Sequence, residues 1–377
     1  MSKTMIASGH AGGHQGRCSA GHHDDGSHLV LGIDAGATTS RALVARVDGT
    51  RLGFGSAGGA SPTAHPPCQA ASALGAAIAA AISPGAGVDP AEICSATVGL
   101  AGVGGLAEPS AAAAFDAAWR GAGLRCPMRV FSDAVVAFAA GTTHASGSAL
   151  VAGTGAIAAA IRDRTLHHTA GGHGWILGDE GSGTWLGREA VRAALAELDG
   201  KGPTTALTAL VQDELLGAGS SSGSGGLGAR DALINAVHEN PPVQLARLAP
   251  IVTRAAADGD DVARARVRRA ASHLVDIVGA IHERADARPI VLAGSLLTTR
   301  TPVADAVRRR LRRRYSGPVE TAGDAAGGAA WLAALDIGCT SKGLHARLVT
   351  VREGQRRARH EAPHSLAVGQ QETVRPR

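Results

Sequence analysis

A strand–turn–strand unit with glycine and threonine at its bend occurs twice in this chain, and that repetition narrows the folds open to it. The first copy runs Leu29-Val30-Leu31-Gly32-Ile33-Asp34-Ala35-Gly36-Ala37-Thr38-Thr39-Ser40-Arg41-Ala42-Leu43-Val44. It reads as an apolar strand, a tight Gly/Thr turn and a second strand. An Asp48-Gly49 turn, a strong hairpin signal, then leads into a third short strand from Arg51 to Ser56. The second copy has a strand from Ser148 to Ala152, the turn Gly153-Thr154-Gly155, a strand from Ala156 to Ile161 and a third from Arg164 to Thr169. Two such openings predict a duplicated domain, each half presenting one glycine turn.

The segments between and after the copies alternate strand and helix. Helix is expected over 69–82, 110–120 and 134–140, with strands over 95–100 and 128–131, the βαβ rhythm of a mixed or parallel sheet. After the second copy come helices over 183–198, 204–216, 230–237 and 260–284, a strand over 289–293, and helices over 301–314 and 324–335. Gly217 to Gly228 reads as a Gly/Ser linker. Composition supports the α/β reading. Apolar residues make up 45% of the 377, yet aromatics only 2%, so Ala, Gly, Val and Leu must fill the core and layers must pack closely. Residues 1–27, rich in Gly, Ser and His, cannot bury enough surface to fold alone and read as a disordered leader. The net charge of +5 is concentrated between Arg347 and Arg377, a run that reads as a solvated tail and lacks the aromatic interleaving of a nucleic-acid contact. Cys18, Cys68, Cys94, Cys126 and Cys339 show no paired spacing, as expected of reduced thiols. With no apolar run of membrane length and no signal-peptide core, the expectation is a soluble cytoplasmic protein with no membrane partner.

Four features carry possible chemistry. Asp34 ends one strand, Asp133 ends another, Gly153-Thr154-Gly155 turns between two more, and Gly294-Ser295 follows a late one. Strand-end carboxylates and glycine turns of an α/β sheet tend to face one crevice. Phosphoryl transfer uses such parts: amides around phosphates, a magnesium-associated carboxylate, and a second carboxylate to take a hydroxyl proton. Neither a Gly-x-x-x-x-Gly-Lys-Ser/Thr loop nor a Gly-x-Gly-x-x-Gly helix opening is present. The densest polar stretch, Gly171 to Arg188, holds Trp175, Trp185 and the acid pair Asp179-Glu180 among its glycines. Ordering so glycine-rich a loop is costly, which favours a binding role, and neighbouring carboxylates suit a polyhydroxyl ligand. Plainer readings stay open: Asp179 or Ser182 as cap of the helix from Gly183, Asp133 as cap of the helix from Ala134, and His173 as a solvent-facing loop residue.

The order Ile33-Asp34-x-Gly36-x-Thr38, Ser132-Asp133-Ala134, Gly153-Thr154-Gly155, the Gly171–Arg188 block and Leu292-Ala293-Gly294-Ser295 resembles the N-acetylglucosamine kinase branch of the BadF/BadG/BcrA/BcrD ATPase family. The resemblance covers about 28–337. It implies an α/β fold of two actin-like ATPase (ribonuclease H-like) domains, 28–140 and 141–337, with a nucleotide cleft between them; the remainder, 338–377, is expected from its charge to be a basic, disordered tail. It further implies an ATP- and Mg2+-dependent kinase acting on an amino sugar, N-acetylglucosamine or glucosamine, with a homodimer by analogy. Carried over residue by residue, Asp34 would hold magnesium, with Gly36, Thr38 and Thr39 near the γ-phosphate. Gly153, Thr154 and Gly155 would form the second phosphate turn, and Gly294 and Ser295 would lie by the adenosine. Asp133 would be the general base and would contact the sugar. Gly172, Asp179 and the supporting Glu180 would serve the sugar. Three positions depart from the family pattern: Thr39 stands where Lys is frequent, with Arg41 nearby as a charge; Ser61 replaces an Asn in the sugar loop; and His173 replaces a Trp. Two other functions fit parts of the pattern: an ATPase activator of a 2-hydroxyacyl-CoA dehydratase, and a non-catalytic sugar or nucleotide sensor.

Overall fold

A computed structural model describes residues 5–6, 26–219 and 226–350; the rest of the leader and 351–377, which carries most of the basic run, lie outside the described residues. The strands are β1 (Met5–Ile6), β2 (Leu29–Ala35), β3 (Thr39–Arg46), β4 (Arg51–Gly58), β5 (Ile93–Leu100), β6 (Met128–Ser132), β7 (Gly147–Ala152), β8 (Ala156–Arg162), β9 (Thr165–Gly171), β10 (Ile290–Ala293) and β11 (Val319–Thr321). They form two mixed sheets, ordered β1-β6-β5-β2-β3-β4 and β11-β10-β7-β8-β9. In the first, β2 pairs antiparallel with β3 and parallel with β5. In the second, β7 pairs antiparallel with β8 and parallel with β10. Apart from the added two-residue β1, the sheets match strand for strand, so the hairpin repeat in the sequence is the trace of a repeated sheet.

Three apolar layers hold the sheets. The outer face of the first sheet packs on helices Pro67–Ala81 and Pro109–Gly121, with Phe115 and Trp119 buried there. The outer face of the second packs on helices that include Gly183–Leu198, Ala249–Asp258, Asp261–Gly279 and Pro302–Arg314. Between the sheets lies a layer built from two short helices, Asp133–Ala139 and Ala325–Asp336. That central layer is thin because its residues are small. A Cβ on Gly32 of β2 would fall 2.1 Å from the carbonyl oxygen of Ala326 and 2.1 Å from the amide nitrogen of Ala330. Strand and helix therefore touch backbone to backbone, the packing to which an Ala/Gly-rich, aromatic-poor composition is suited.

The structure departs from the sequence reading at several places. The long helix ends at Gly279 instead of Arg284. Within the expected linker, 226–228 already belong to helix Gly226–His238, while 220–225 lie outside the described residues. Residues 338–350, assigned on charge to the tail, carry helix Leu344–Val349, whose Leu344 and Leu348 are buried in the central layer. Arg51 explains the attachment. Its guanidinium is ion-paired with Asp324, both side chains almost fully buried, and it donates to the carbonyls of Leu348 (2.9 Å) and Thr350 (3.1 Å). A buried charge needs this full set of partners, and the last helix supplies two of them.

The contact at Gly32 has a measurable consequence. Gly32→Ala forces the helix off the strand and should lower the urea midpoint by the equivalent of about 1–3 kcal/mol, the usual cost of overpacking a core. Gly58→Ala, where an added Cβ meets nothing within 4 Å, is the control and should leave the midpoint nearly unchanged.

Candidate active site

Strand alternation decides which residues look into the space between the sheets. Along β2, Leu29, Leu31, Ile33 and Ala35 belong to the outer core while Val30 belongs to the central layer. Gly32 and Asp34 share the face of Val30, since side chains repeat every second residue. Along β7, Leu150 and Ala152 face outward and Ala149 faces the central layer, which places Val151 and then Gly153 inward. Asp133 is the first residue of a helix that lies in the layer itself. Ala35, Leu100 and Ser132 are in register across β2, β5 and β6, so Asp34 and Asp133 stand at the same sheet end. Two strand spacings, about 10 Å, separate their rows.

Each half brings one glycine turn to its sheet end. In the first, the Gly36 amide donates to the Thr39 carbonyl (3.1 Å), the Ala60 amide donates to the Gly36 carbonyl (3.0 Å), and His65 Nε2 donates to the Ala37 carbonyl (2.6 Å). Thr38 is exposed and Thr39 half-buried. In the second, the Gly153 amide donates to the Gly155 carbonyl (3.0 Å) and the Gly183 amide to the Gly153 carbonyl (2.7 Å). Thr184 gives the Thr154 carbonyl two donors, its amide at 3.2 Å and its hydroxyl at 2.8 Å. Gly294 and Ser295 adjoin this turn. Gly294 has φ +83°, and a Cβ there would lie 2.2 Å from the Ala152 carbonyl oxygen; Ser295 Oγ lies 3.7 Å from where a Gly153 Cβ would stand.

The carboxylates differ in setting. Asp34 is partly exposed and pairs loosely with Arg41 across β2 and β3, at 3.7 Å. Asp133 Oδ1 accepts from the Ala134 amide (2.9 Å) and the Ser132 hydroxyl (3.2 Å). Burial nevertheless raises its pKa above the ordinary carboxylate value, against the lowering effect of those two bonds. The helix cap is Ser132, whose Oγ accepts from Ala134, and not Asp133.

In the Gly171–Arg188 block, Asp179 takes a left-handed φ of +60° and turns its carboxylate toward the second turn. Oδ1 accepts from the Ala156 amide at 3.1 Å, and Oδ2 would lie 2.9 Å from a Cβ at Gly155, so the carboxylate packs directly against the turn. Burial, and secondarily the neighbouring Glu180 charge, raise the Asp179 pKa. Ser182 is the cap of helix Gly183–Leu198, accepting from the Trp185 amide at 3.2 Å. Gly172, His173 and Glu180 are exposed, as are Trp175, Ile176 and Leu177 on a single helical turn, Gly174–Leu177. Ser61 is buried, and its hydroxyl shares a hydrogen bond with Thr63 Oγ1 (3.0 Å). The structure thus gathers Asp34, the 36–39 turn and Asp133 at one sheet end, and the 153–155 turn, Asp179, Gly294 and Ser295 at the equivalent end of the other. His65 and Thr184 were not singled out by sequence reasoning; the only available signal is their position shortly after a turn-facing loop.

Among the described residues no group of three or more His, Cys, Asp or Glu side chains could by itself hold a metal. The partly exposed carboxylate of Asp34 is the kind of donor that suits magnesium, which commonly takes one or two carboxylates and completes its shell with phosphate oxygens and water. No helix of the described residues is long and apolar enough to cross a membrane.

Matched sheets with a glycine turn at the head of each are the architecture of two-domain α/β ATPases. The chain belongs to the BadF/BadG/BcrA/BcrD ATPase family, whose sequence profile matches residues 31–333. It is 26% identical over 216 residues to an N-acetyl-D-glucosamine kinase of Dictyostelium discoideum, covering 54% of this chain and 64% of that protein. It is 30% identical over 192 residues to an N-acetylmuramic acid/N-acetylglucosamine kinase of Clostridium acetobutylicum, covering 49% and 60%. The chain therefore spans somewhat less than two thirds of these relatives. Its fold is similar to a solved structure from Chromobacterium violaceum provisionally assigned as an N-acetylglucosamine kinase, with a TM-score of 0.63 and 27% identity over 81% of this chain and 99% of that one.

The raised pKa of Asp133 makes a prediction about stability. A partly buried acid whose folded pKa lies above its unfolded value holds extra protons in the native state, so it costs nothing below the unfolded pKa and costs progressively more as pH rises through the folded one. Asp133→Asn should therefore be more stable than the parent at neutral pH. Denaturant titrations at stepped pH should show that advantage shrinking as the pH falls toward the normal carboxylate range.

Proposed function

We propose that the chain is an ATP-dependent sugar kinase that transfers the γ-phosphate to a hydroxyl of an amino sugar, N-acetylglucosamine or glucosamine. The observation that carries this reading is the placement of Asp133. It is a carboxylate held at raised pKa, at the same sheet end as Asp34, on a helix lying between two sheets that each end in a glycine turn. Asp133 accepts the proton of the attacking hydroxyl as its oxygen bonds to the γ-phosphorus, and the bond to the β,γ-bridging oxygen breaks with its electron pair leaving on ADP. A base poised above the ordinary carboxylate pKa is better matched to that transfer at neutral pH. The two turns, at Gly36–Thr39 and Gly153–Gly155, receive the phosphates, and Gly294 and Ser295 border the nucleoside. Asp34 would hold magnesium, which when bound neutralises phosphate charge. Gly172, His173, Asp179 and Glu180 serve the sugar, and Ser61 acts from beneath its loop. The lobes are 28–140 and 141–337, closing over the acceptor to exclude water.

The cysteines favour this reading over a dehydratase activator with a bridging metal cluster. Cys126 is buried in the outer core, and Cys94 Sγ lies 3.6 Å from His28 Nδ1, within the same lobe.

Purified protein supplied with ATP and Mg2+ should release ADP only when an amino sugar is added, and NMR of the product should locate one phosphorylated hydroxyl. ADP release indifferent to every hexose and amino sugar in the panel overturns the assignment. Asp133→Asn should lower turnover by ~10²–10⁴-fold, the usual share of a general base, with nucleotide binding retained.

A further inference from the structure

The two turns are held from behind by groups to which no role attaches. A trans peptide is planar, so its carbonyl and the next residue's amide point in opposite directions; the described residues contain no cis bond. In the second turn the carbonyls of Gly153 and Thr154 both point at the start of helix Gly183–Leu198, toward the amides of Gly183 and Thr184 and the Thr184 hydroxyl. The amides of Thr154 and Gly155 must then point together the other way. In the first turn the carbonyls of Gly36 and Ala37 are taken by the Ala60 amide and by His65 Nε2, which turns the amides of Ala37 and Thr38 outward in the same sense. Counted from the end of the first strand, Gly36 corresponds to Gly153 and Ala37 to Thr154; the first turn is one residue longer, closing on Thr39 where the second closes on Gly155. At each middle carbonyl stands a side-chain donor, His65 in one half and Thr184 in the other. Room has been made for both. A Cβ at Gly59 would lie 2.5 Å from His65 Nε2 and 2.0 Å from the Ala37 carbonyl oxygen. Thr184 is buried, with no solvent to compete for its hydroxyl.

We propose that Thr184, with His65 as its counterpart, is a positioning residue that presets a pair of outward amides to grip a phosphate oxygen. The proposal rests on the reading of the two turns as phosphate-facing. Two adjacent amides fixed in parallel form an anion-binding concavity, and fixing them before the ligand arrives spares the ordering cost on binding. Neither side chain touches the phosphate. Each acts through a carbonyl on the far side of the peptide plane.

The test is calorimetric titration with a non-hydrolysable ATP analogue and, separately, with adenosine. Thr184→Val keeps the side-chain volume and leaves the Thr154 carbonyl its backbone donor, so the fold should survive. It should weaken the triphosphate by about three- to tenfold, the scale of one lost hydrogen bond, and leave adenosine affinity unchanged; Thr184→Ser should restore the parent value. His65→Ala should show the same phosphate-selective loss, and decides the matter alone should the valine variant fail to fold. Equal loss for both ligands, or no loss for either, overturns the positioning role while the kinase reading stands. A parent protein that binds adenosine and the triphosphate equally well removes the phosphate reading and this proposal together.

Discussion

The structure depends on backbones that nearly touch. Gly32 in β2 lies against Ala326 and Ala330 so closely that a methyl group would enter the helix backbone. Helices Asp133–Ala139 and Ala325–Asp336 are in turn packed on each other, where a Cβ at Gly328 would lie 2.7 Å from the Ala140 amide nitrogen. With a layer this thin, two sheets can share one pair of helices. The row that places Gly32 against the helix places Asp34, two residues on, at the open end of the same layer. The helix that fills the layer from the other side begins at Asp133. A bulkier core would separate the sheets and with them the acidic residues they carry.

The repeated half-domain has kept its strand order and the way its first two turn carbonyls are held, while changing the turn length and the groups that support the turns. One turn leans on a loop amide and an imidazole, the other on a helix start and a hydroxyl. The helix start is an economical support, because its first amides lack partners inside the helix and the turn carbonyls satisfy them. The same helix is capped by Ser182, three residues past Asp179, whose carboxylate reaches the Ala156 amide just beyond the turn. The glycine-rich block and the second turn thus form one hydrogen-bonded unit, so a ligand at one meets structure already shaped by the other.

The elements readable from sequence were those with a local signature. Asp48-Gly49 marks the β3–β4 hairpin, and Gly153-Thr154-Gly155 marks the β7–β8 bend, because turn chemistry acts over a few residues. Val319–Thr321 is three residues long and its place at the sheet edge comes from pairing with β10, which no local pattern encodes. Leu344–Val349 is hidden beneath the charge of its surroundings; only its contacts with Arg51 and the central layer make it a helix worth forming. At the site, residue identity marked Asp34, Asp133 and the glycines. It did not reveal that Asp179 faces a turn amide, that Ser61 is spent on Thr63, or that His65 reaches back to Ala37, since each depends on how a loop returns across a distance of many residues.

The four tryptophans are distributed unequally. Trp119, Trp185 and Trp331 are at most 5% exposed, whereas Trp175 is 39% exposed on the short helical turn of the glycine-rich block. Three indoles are therefore shielded from water, and one sits at the water boundary beside Ile176 and Leu177. A change in solvent contact at that turn will be recorded chiefly by its exposed indole, so the chain carries a fluorescent gauge of the turn without a label being attached.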